Sequence, residues 1–362
     1  MLLHTADWHL GKQIESVDLL PDQWDWFMRF CDDLKERSPE LILIAGDLFD
    51  YHADKNAAKE LFDAVMSRII TEIGCPIAVV PGNHDDIAWL GECFAPYEDR
   101  VTVFDAVDAK PAVYTVDGYP VMLHPIPFWS GKALAAFGAA TVQQAMQMRL
   151  AQIRQNMPQG YRHIAAAHAL VLPKGAPMVE RILKANKDSG NDLIDSAWFA
   201  DFDYTALGHI HANMAVEADT MPQNSCCYAG TPFVYERKEI GQQKGYFAVT
   251  FHKDGVDAVS CSLPPVHPVK LLVSNFTEIE KSPPEWAKDA YVFLQLEDTV
   301  PVADGMQRMK TLFPHLVQMR YEKEPEPYGY DPNASMGERF VQFLQKVGAE
   351  LTPQEITELK KV

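Results

Sequence analysis

The chain has 362 residues, of which 47% are hydrophobic and 23% charged, as is usual for a globular protein of about two domains with a sizeable core. Its 32 basic and 50 acidic residues give a formal net charge of −18, which argues against a surface that binds nucleic acid or anionic membranes over its whole extent. This balance still permits a local positive site.

Six cysteines are scattered along the chain without a C-x-x-C pair, so neither a zinc ribbon nor a disulfide framework is indicated. The N-terminal MLLHTADWHLGK lacks the basic and apolar regions of a signal peptide, and no later stretch has the length of a membrane span. We therefore expect a cytoplasmic protein with no membrane partner.

The first third of the chain alternates aliphatic strands with amphipathic helices. The pattern predicts strands over 2–6, 40–46 and 76–82, and helices over 21–37 and 54–74. Pro21 lies in the first turn of the first helix, Asp54 is the N-cap of the second, and Gly74 is its stop. This alternation indicates a parallel or mixed sheet with binding loops at the carboxyl ends of its strands.

Antiparallel structure joins the pattern beyond residue 110. AVYTVDGYPVMLHPIP predicts a hairpin turning at Asp117-Gly118, and GYFAVTFHKDGVDAVSCSL predicts another turning at Asp254-Gly255. Between them the pattern predicts a helical stretch over 131–157, a strand over 163–170 and a strand at the start of DYTALGHIH. The overall class is therefore α/β.

A smaller unit is predicted past residue 264. It has a β-β-α-β pattern over 269–322, followed by the linker KEPEPYGYDP and two helices over 335–347 and 353–361, the second with a capping box formed by Thr352 and Glu355. The predicted domains are 1–264, a small α+β domain over 265–325, and a linker with C-terminal helices over 326–362.

Polar side chains follow the predicted strands of the first domain directly. They are Asp7 and His9 in ADWH, Asp47 and Asp50 in GDLFD, Asn83 and His84 in GNHD, His168, and His209 and His211 in GHIH. Residues two apart on an extended chain point to the same side, so both imidazoles of GHIH can reach one bound group. Carboxylates and imidazoles without thiolates suit Mn²⁺, Fe²⁺ or Zn²⁺ better than Ca²⁺.

These side chains are too many for one metal ion and sufficient for two. Two ions roughly 3.5 to 4 Å apart can clamp a phosphodiester and activate a water, and a carboxylate is the natural bridge between them. Each motif is weak alone, because a single strand-end histidine is more often a surface or core residue than a ligand. The motifs D-x-H, G-D-x-x-D, G-N-H-D, H and G-H-x-H in this order predict phosphoryl transfer to water.

The ordered motifs resemble those of the calcineurin-like metallophosphoesterase superfamily. Within it, HTADWHLGK, GDLFD, YAGTPF (228–233), KGYF (244–247) and the C-terminal FVQFLQKVGAELTPQEITELKK are similar to the SbcD branch, the nuclease subunit that works with the SbcC ATPase. The resemblance implies a metallophosphoesterase sandwich of two mixed β-sheets flanked by helices, with a small α+β cap domain that contacts DNA and C-terminal helices.

The resemblance also implies two divalent ions, with Mn²⁺ as the expected metal. Their implied ligands are Asp7, His9, Asp47 and His211 for one ion and Asp47, Asn83, His168 and His209 for the other, with Asp47 as the bridge.

The remaining roles concern the reaction and its substrate. The resemblance implies that His84 donates a proton to the departing 3′ oxygen and that Asp50 orients its imidazole. It supports an approach of His52 to the DNA end or the scissile phosphate only loosely, and an ordinary loop histidine is an equal alternative.

The activity implied is that of a Mn-dependent DNA nuclease, a 3′–5′ exonuclease and single-strand or hairpin endonuclease of an SbcCD-like double-strand-break repair complex. The implied partners are DNA, a second copy of the chain and an SbcC-like ATPase. The apolar residues of the terminal helices resemble the segment that grips the partner's coiled coil, although packing on their own cap is an alternative. They are Phe340, Phe343, Leu344, Val347, Ile356 and Leu359.

Two other functions stay open. One is a metallophosphoesterase that hydrolyses nucleotides or other small phosphodiesters. The other is a DNA-tethering subunit whose metal site is vestigial, an interpretation disfavoured because the ligand types and the proposed acid are all present.

Overall fold

The computed structural model describes residues 1–173, 192–216, 225–322, 335–346 and 351–360. The chain forms two compact units, one of Met1–Gln13 with Asp18–Val266 and one of Ile14–Val17 with His267–Val362. The division falls after residue 266, where the sequence predicts a boundary after 264. The predicted boundary at 325 and the KEPEPYGYDP linker lie outside the described residues.

The strands of the described residues are as follows. They are β1 Leu2–Thr5, β2 Gln13–Ile14, β3 Val17–Asp18, β4 Leu41–Ile44, β5 Ile77–Val79, β6 Val101–Val103, β7 Ala112–Val116, β8 Tyr119–Ile126, β9 Arg162–His168, β10 Val171–Leu172, β11 Ile194–Asp195, β12 Tyr204–Gly208, β13 Met214–Ala215, β14 Cys226–Tyr228, β15 Tyr246–His252, β16 Gly255–Cys261, β17 Val269–Ser274, β18 Tyr291–Leu296 and β19 Leu316–Tyr321.

The α-helices of the same residues are α1 Leu20–Arg37, α2 Lys55–Arg68, α3 Ile87–Phe94, α4 Gly131–Phe137, α5 Val142–Gln155, α6 Phe276–Lys281, α7 Gly305–Leu312, α8 Met336–Lys346 and α9 Pro353–Leu359. Every helix among the described residues is too short or too polar to span a membrane.

One sheet of the first unit has six strands in the order β16-β15-β1-β4-β5-β6. Its strands β1, β4, β5 and β6 are parallel, and β15 runs antiparallel to both of its neighbours. The sequences LLHT of β1 and LILI of β4 are buried at every residue, as in a parallel sheet covered on both faces. The carboxyl ends of β1, β4 and β5 therefore lie side by side.

A second six-stranded sheet has the order β13-β14-β12-β9-β8-β7. Its four inner strands are parallel, and the outer strands β7 and β13 are antiparallel to their neighbours. Leu43 and Val80 of the first sheet region share one buried cluster with Leu123 and Ile164 of the second. Burying each such side chain contributes about 1.5–3 kcal/mol, so this cluster is a main source of the unit's stability.

Helices cover the outer faces of both sheets. The Phe30 ring of α1 lies 5.1 Å from the ring of Tyr246 in β15, and Met146 and Leu150 of α5 share a cluster with Ala165 of β9. The predicted α/β fold of two mixed sheets flanked by helices is confirmed.

The helix limits follow local capping. The Asp54 side chain accepts hydrogen bonds from Asn56 N and Ala57 N, as expected of an N-cap. After α2 the chain continues through a π-helical turn over Ile69–Ile73 and ends at Gly74, whose φ is 74°. The helical stretch predicted over 131–157 forms two helices, because Gly138, with φ 76°, ends α4 and Thr141 caps α5.

The two predicted hairpins are present. The β7–β8 turn is at Asp117-Gly118, with φ of 53° and 77°, which fits the twist of a two-residue hairpin. The β15–β16 turn is one residue earlier than predicted, because His252 pairs with Gly255 and leaves Lys253-Asp254 in the turn.

The second unit contains a parallel sheet in the order β17-β18-β19. The predicted β-β-α-β pattern is wrong, because α6 connects the first two strands. Adjacent parallel strands need a crossover, and α6 supplies it by burying Phe276 and Ile279 with Leu294 and Met309.

The C-terminal helices α8 and α9 are also present, and Thr352 and Glu355 form the predicted capping box. Phe340 is exposed, with 48% of its surface accessible, and Val341 is buried. The side chain of Phe343 and the whole of Val347 lie outside the described residues.

Candidate metal centre

The predicted ligands lie at the ends of five strands. Asp7 and His9 follow β1, Asp47 follows β4, Asn83 follows β5, His168 ends β9, and His209 and His211 follow β12. The strands β1, β4 and β5 belong to one sheet and β9 and β12 to the other. The centre is therefore assembled from both sheets of the first unit.

The backbone is left-handed at four of these residues. The φ angles are 51° at Asp7, 44° at His9, 53° at Asp47 and 97° at His209. Such conformations are uncommon for non-glycine residues and cluster at functional sites, where the surrounding structure holds them. They turn the side chains inward directly after each strand.

Three glycines make room for the ligands. A Cβ at Gly46 would meet His168 Nδ1, one at Gly82 would meet Asp47 Oδ1, and one at Gly208 would meet Ala45 O, all at distances that real Cβ atoms do not show. The strand ends can therefore approach closely only because these positions carry no side chain.

Asp7, His9 and His211 form the first ligand group, in which one ligand atom from each residue lies within 4.8 Å of the others. The Nε2 atoms of His9 and His211 are 3.2 Å apart. Both Asp7 carboxylate oxygens accept from His209 N, at 3.0 and 3.1 Å. These bonds fix the Asp7 carboxylate beside the two imidazoles.

Asp7, Asp47 and His168 form a second group with the same spacing. Asn83 Oδ1 lies 3.0 Å from His168 Nε2 and 2.9 Å from His209 Nδ1, which brings these three side chains together. Asp47 Oδ2 is 3.7 Å from His9 Nε2 and 3.5 Å from His168 Nε2. Asp47 thus lies between His9 of the first group and His168 of the second, and Asp7 belongs to both groups.

The charges of the centre favour a cation. Burial raises the pKa of Asp7 to about 7. Burial also opposes ionisation of Asp47, but His168 outweighs it and holds the pKa of Asp47 far below its usual range. Burial would lower the pKa of His168, and the Asp47 carboxylate instead raises it to about 9. In the metal-free centre Asp7 and His168 therefore hold protons readily. The same surroundings stabilise a buried positive charge.

The donor set fits two divalent ions. Carboxylate, amide and imidazole donors converge from two overlapping groups, and the Nε2 atoms of His9 and His211 point at each other across the first of them. Mixed oxygen and nitrogen ligands of this kind are suited to Mn²⁺, Fe²⁺ or Zn²⁺.

Residues 1–213 match the family described as calcineurin-like phosphoesterase. The chain belongs to this family. It is accordingly a metal-dependent hydrolase that acts on phosphoesters.

Solved structures similar to this phosphoesterase include three with low identity. The protein TT1561 of Thermus thermophilus is 11% identical, with 64% of this chain and 88% of that chain covered and a TM-score of 0.38. A dimetal phosphatase from Danio rerio is 10% identical, with 70% and 92% covered and a TM-score of 0.41. A protein of unknown function, AQ665 from Aquifex aeolicus, is 13% identical, with 56% and 92% covered and a TM-score of 0.25.

His84 lies beside the candidate metal ligands of this phosphoesterase. Its ring is 4.8 Å from the ring of His9, and its main-chain N–H donates to Asp47 Oδ1 at 2.8 Å. His9, Asp47 and His84 also form a group with ligand spacing, so the geometry alone does not separate a proton donor from a ligand.

The structure does not bring Asp50 to His84 as the sequence predicts. Asp50 accepts from Lys12 Nζ at 2.7 Å and from His52 N at 3.1 Å, and its Oδ2 faces His9 Nδ1 at 3.7 Å. The Nδ1 atom of His84 is buried without a hydrogen-bond partner among the described residues. The loop after β4 turns Asp50 towards Lys12, and so Asp50 lies behind His9.

Two further carboxylates were missed by sequence reasoning. Asp85, in the GNHD motif, accepts from Asp47 N, Leu48 N and Gly82 N at 2.8–3.0 Å and so ties the β4 and β5 loops together. Glu239 is buried and lies 2.6 Å from His211 Nδ1 through its Oε1. The position of Asp85 within a metal motif could have indicated its role, whereas Glu239 stands in no motif.

His52, the tentative substrate residue, is exposed on the loop after Asp50. Its ring packs edge-on against Tyr51 at 5.1 Å, and Tyr51 is 75% exposed. The two rings therefore form an accessible aromatic pair on the loop that carries Asp50.

Proposed function

We propose that this phosphoesterase is a two-metal DNA nuclease, a Mn-dependent 3′–5′ exonuclease and single-strand or hairpin endonuclease of an SbcCD-like repair complex. The observation that carries the two-metal part is the position of Asp47 between the His9 and His168 nitrogens. The DNA part rests on the resemblance of the sequence motifs to the SbcD branch.

The seven ligands would divide between the two ions as the motifs imply. Asp7, His9 and His211 would hold one, and Asn83, His168 and His209 the other, with Asp47 shared. When bound, the ions supply Lewis-acid stabilisation of the charge that develops on the phosphoryl oxygens.

His84 would donate a proton to the departing 3′ oxygen. Its main chain is fixed by Asp47, and its ring is partly exposed at the edge of the ligand cluster. A positioned general acid of this kind typically contributes roughly 10²- to 10⁴-fold to a rate. Because Asp50 bonds to Lys12, we assign Asp50 to the support of His9 rather than of His84.

Tyr51 and His52 would contact the DNA. Exposed aromatic rings bind single-stranded or frayed ends by stacking on bases, and this stacking tolerates any sequence. Tyr51 is 75% exposed, so its ring is accessible for such stacking.

The ATPase partner would bind the C-terminal helices. Met336 and Phe340 of α8 are exposed by 75% and 48%, so an amphipathic helix offers apolar side chains for a groove or coiled coil.

The homodimer is proposed on the motif resemblance. A cytoplasmic location is supported by six cysteines that are all buried and form no disulfide among the described residues.

A second candidate function is hydrolysis of nucleotides or other small phosphodiesters. The formal net charge of −18 favours it, because a long DNA backbone would be repelled outside the metal centre. A small substrate would need only the charge of the centre itself.

The test compares wild type with His84→Ser on two substrate classes. Mn²⁺-dependent degradation of end-labelled linear duplex and hairpin DNA is measured beside hydrolysis of a nitrophenyl nucleotide ester, and bound metal is determined for both proteins. We expect wild type to cleave DNA, and His84→Ser to keep both ions while losing roughly 10²- to 10⁴-fold in rate.

Each outcome separates the candidates. Hydrolysis of the ester without cleavage of DNA, also after addition of the ATPase partner, would favour the small-phosphodiester enzyme. DNA tethering without any hydrolysis would support the vestigial-site alternative. Equal rates for wild type and His84→Ser would remove His84 from the reaction.

A further inference from the structure

Glu239 holds the imidazole of a candidate metal ligand. Its Oε1 lies 2.6 Å from His211 Nδ1, and its side chain is 2% exposed. The other ring nitrogen, Nε2, faces His9 Nε2 at 3.2 Å. A carboxylate that accepts the Nδ1 proton leaves the Nε2 lone pair directed towards the ion site.

Lys244 fixes Glu239 and the same histidine from the opposite side. Its Nζ donates to Glu239 Oε2 at 2.9 Å, to the main-chain oxygen of His211 at 2.8 Å and to Thr231 Oγ1 at 2.9 Å. Tyr235 N also donates to Glu239 Oε2, at 2.9 Å. The second carboxylate oxygen is therefore occupied, and only Oε1 is left for His211.

The second ligand group has a different support. His168 Nδ1 lies 2.8 Å from the main-chain oxygen of Ala45, which is a neutral acceptor. His211 Nδ1 faces a carboxylate that is paired with Lys244, whereas His168 Nδ1 faces a neutral main-chain carbonyl. These two histidines thus differ in the charge of the group that holds Nδ1.

We propose that the Glu239–Lys244 pair positions His211 for the ion held by Asp7, His9 and His211, and that this ion alone depends on the pair. This inference rests on the proposed two-metal function but concerns residues outside the motifs that predict it. The pair fixes the tautomer and the angle of the His211 ring. It contacts neither substrate nor ion and acts through the histidine.

The test measures Mn²⁺ affinity of Glu239→Gln beside Glu236→Gln. Glu236 lies three positions earlier, and its side chain is 45% exposed and paired with Lys238, so it is a matched control. A glutamine at 239 has one oxygen for three donors, so Lys244 Nζ and Tyr235 N compete with His211 for it. Two dissociation constants are obtained by chelator competition.

We expect one dissociation constant of Glu239→Gln to rise roughly 10- to 100-fold and the other to stay within about twofold. Glu236→Gln should match wild type in both. Unchanged affinity for both ions in Glu239→Gln would overturn the proposal, and so would an equal loss at both sites.

A second measurement needs no substitution at Glu239. Nitrogen-15 spectra of the histidine rings of the metal-free wild type, with His211 assigned from the signals absent in His211→Ala, report which ring nitrogen carries the proton. The proposal predicts the proton on Nδ1 of His211, and a proton on Nε2 alone contradicts it. Because neither readout uses DNA, a wild type that binds two ions and cuts no DNA would refute the nuclease proposal and leave this one standing.

Discussion

The Nε2 atoms of His9 and His211 face each other at 3.2 Å, although the residues are 202 positions apart in the sequence. Glu239 Oε1 lies 2.6 Å from His211 Nδ1, so the Nε2 lone pair of His211 faces His9. His9 Nδ1 lies 3.7 Å from Asp50 Oδ2 and has no hydrogen-bond partner among the described residues. The two Nε2 atoms are thus directed at one point. This convergence is the arrangement expected of two imidazoles that share a metal ion.

Metal binding should therefore stabilise the folded chain. At a free Mn²⁺ concentration 100 times the dissociation constant, each ion adds about 2.7 kcal/mol to the free energy of unfolding. Thermal unfolding of the metal-free protein with increasing Mn²⁺ measures this gain, and His211→Ala should show a smaller one. An unfolding temperature that Mn²⁺ leaves unchanged in wild type would contradict the assignment.

Gly82→Ala should abolish metal binding without unfolding the protein. The new Cβ would meet Asp47 Oδ1 and lie 2.6 Å from Asp47 N, so the carboxylate and the main chain of Asp47 have to move. The control is Gly91→Ala in α3, where a Cβ meets nothing within 4 Å and alanine is favoured in a helix by about 1 kcal/mol. Metal content and circular dichroism are measured for both, and full metal content in Gly82→Ala would refute the prediction.

Gly337→Ala should separate the two C-terminal helices. A Cβ there would meet Leu359 O and lie 2.8 Å from Lys360 Cα, so α8 and α9 cannot keep their close approach. We expect a cost of roughly 1–3 kcal/mol and faster amide exchange over 356–360. The control is Gly131→Ala at the start of α4, where the space is open. Unchanged exchange in Gly337→Ala would show that the helices do not depend on this contact.

His4 should make the protein less stable at acid pH. It is fully buried beside Tyr204, whose hydroxyl is 2.9 Å from Nδ1, and burial lowers the pKa of His4 to about 3. In the unfolded chain the pKa is about 6.5, so the unfolded state binds the extra proton as the pH falls. The stabilisation is complete above about pH 6.5 and is lost progressively towards pH 3.

Urea unfolding of metal-free wild type and His4→Gln at pH 7 and pH 5 measures this effect. The difference in the free energy of unfolding between the two proteins should shift by about 2 kcal/mol against wild type on going to pH 5. His252→Gln, at a side chain that is 47% exposed, is the control for the substitution itself. A difference that does not vary with pH would indicate that His4 is charged in the folded state.

The main features of the fold and the proximity of the candidate ligands could be predicted because each depends on local patterns. Buried runs such as LILI mark central parallel strands, and polar residues just past such strands meet at one edge of a sheet. This reasoning predicts that Asp7, Asp47 and His168 lie close together, and the structure places them in one group.

The features that could not be predicted depend on loop paths and tertiary packing. Asp50 bonds to Lys12 because of the course of the loop after β4, and no spacing in GDLFD reveals that. Glu239 follows an exposed charged run, and its burial beside His211 is set by a short 3₁₀ turn over Arg237–Glu239. Phe276 and Ile279 are compatible with the end of a strand in the sequence. They lie in a helix because β17 and β18 are parallel and need a crossover connection.

The most direct test of the central claim is the number of metal ions bound by wild type and by Asp47→Asn. Both proteins are loaded with Mn²⁺, dialysed, and analysed for metal per chain, with Asp257→Asn, an exposed carboxylate with 74% of its side chain accessible, as control. We predict two equivalents for wild type and the control and less than one for Asp47→Asn, because the bridge serves both ions. Two equivalents retained by Asp47→Asn, or none bound by wild type, would contradict a two-metal centre built around Asp47.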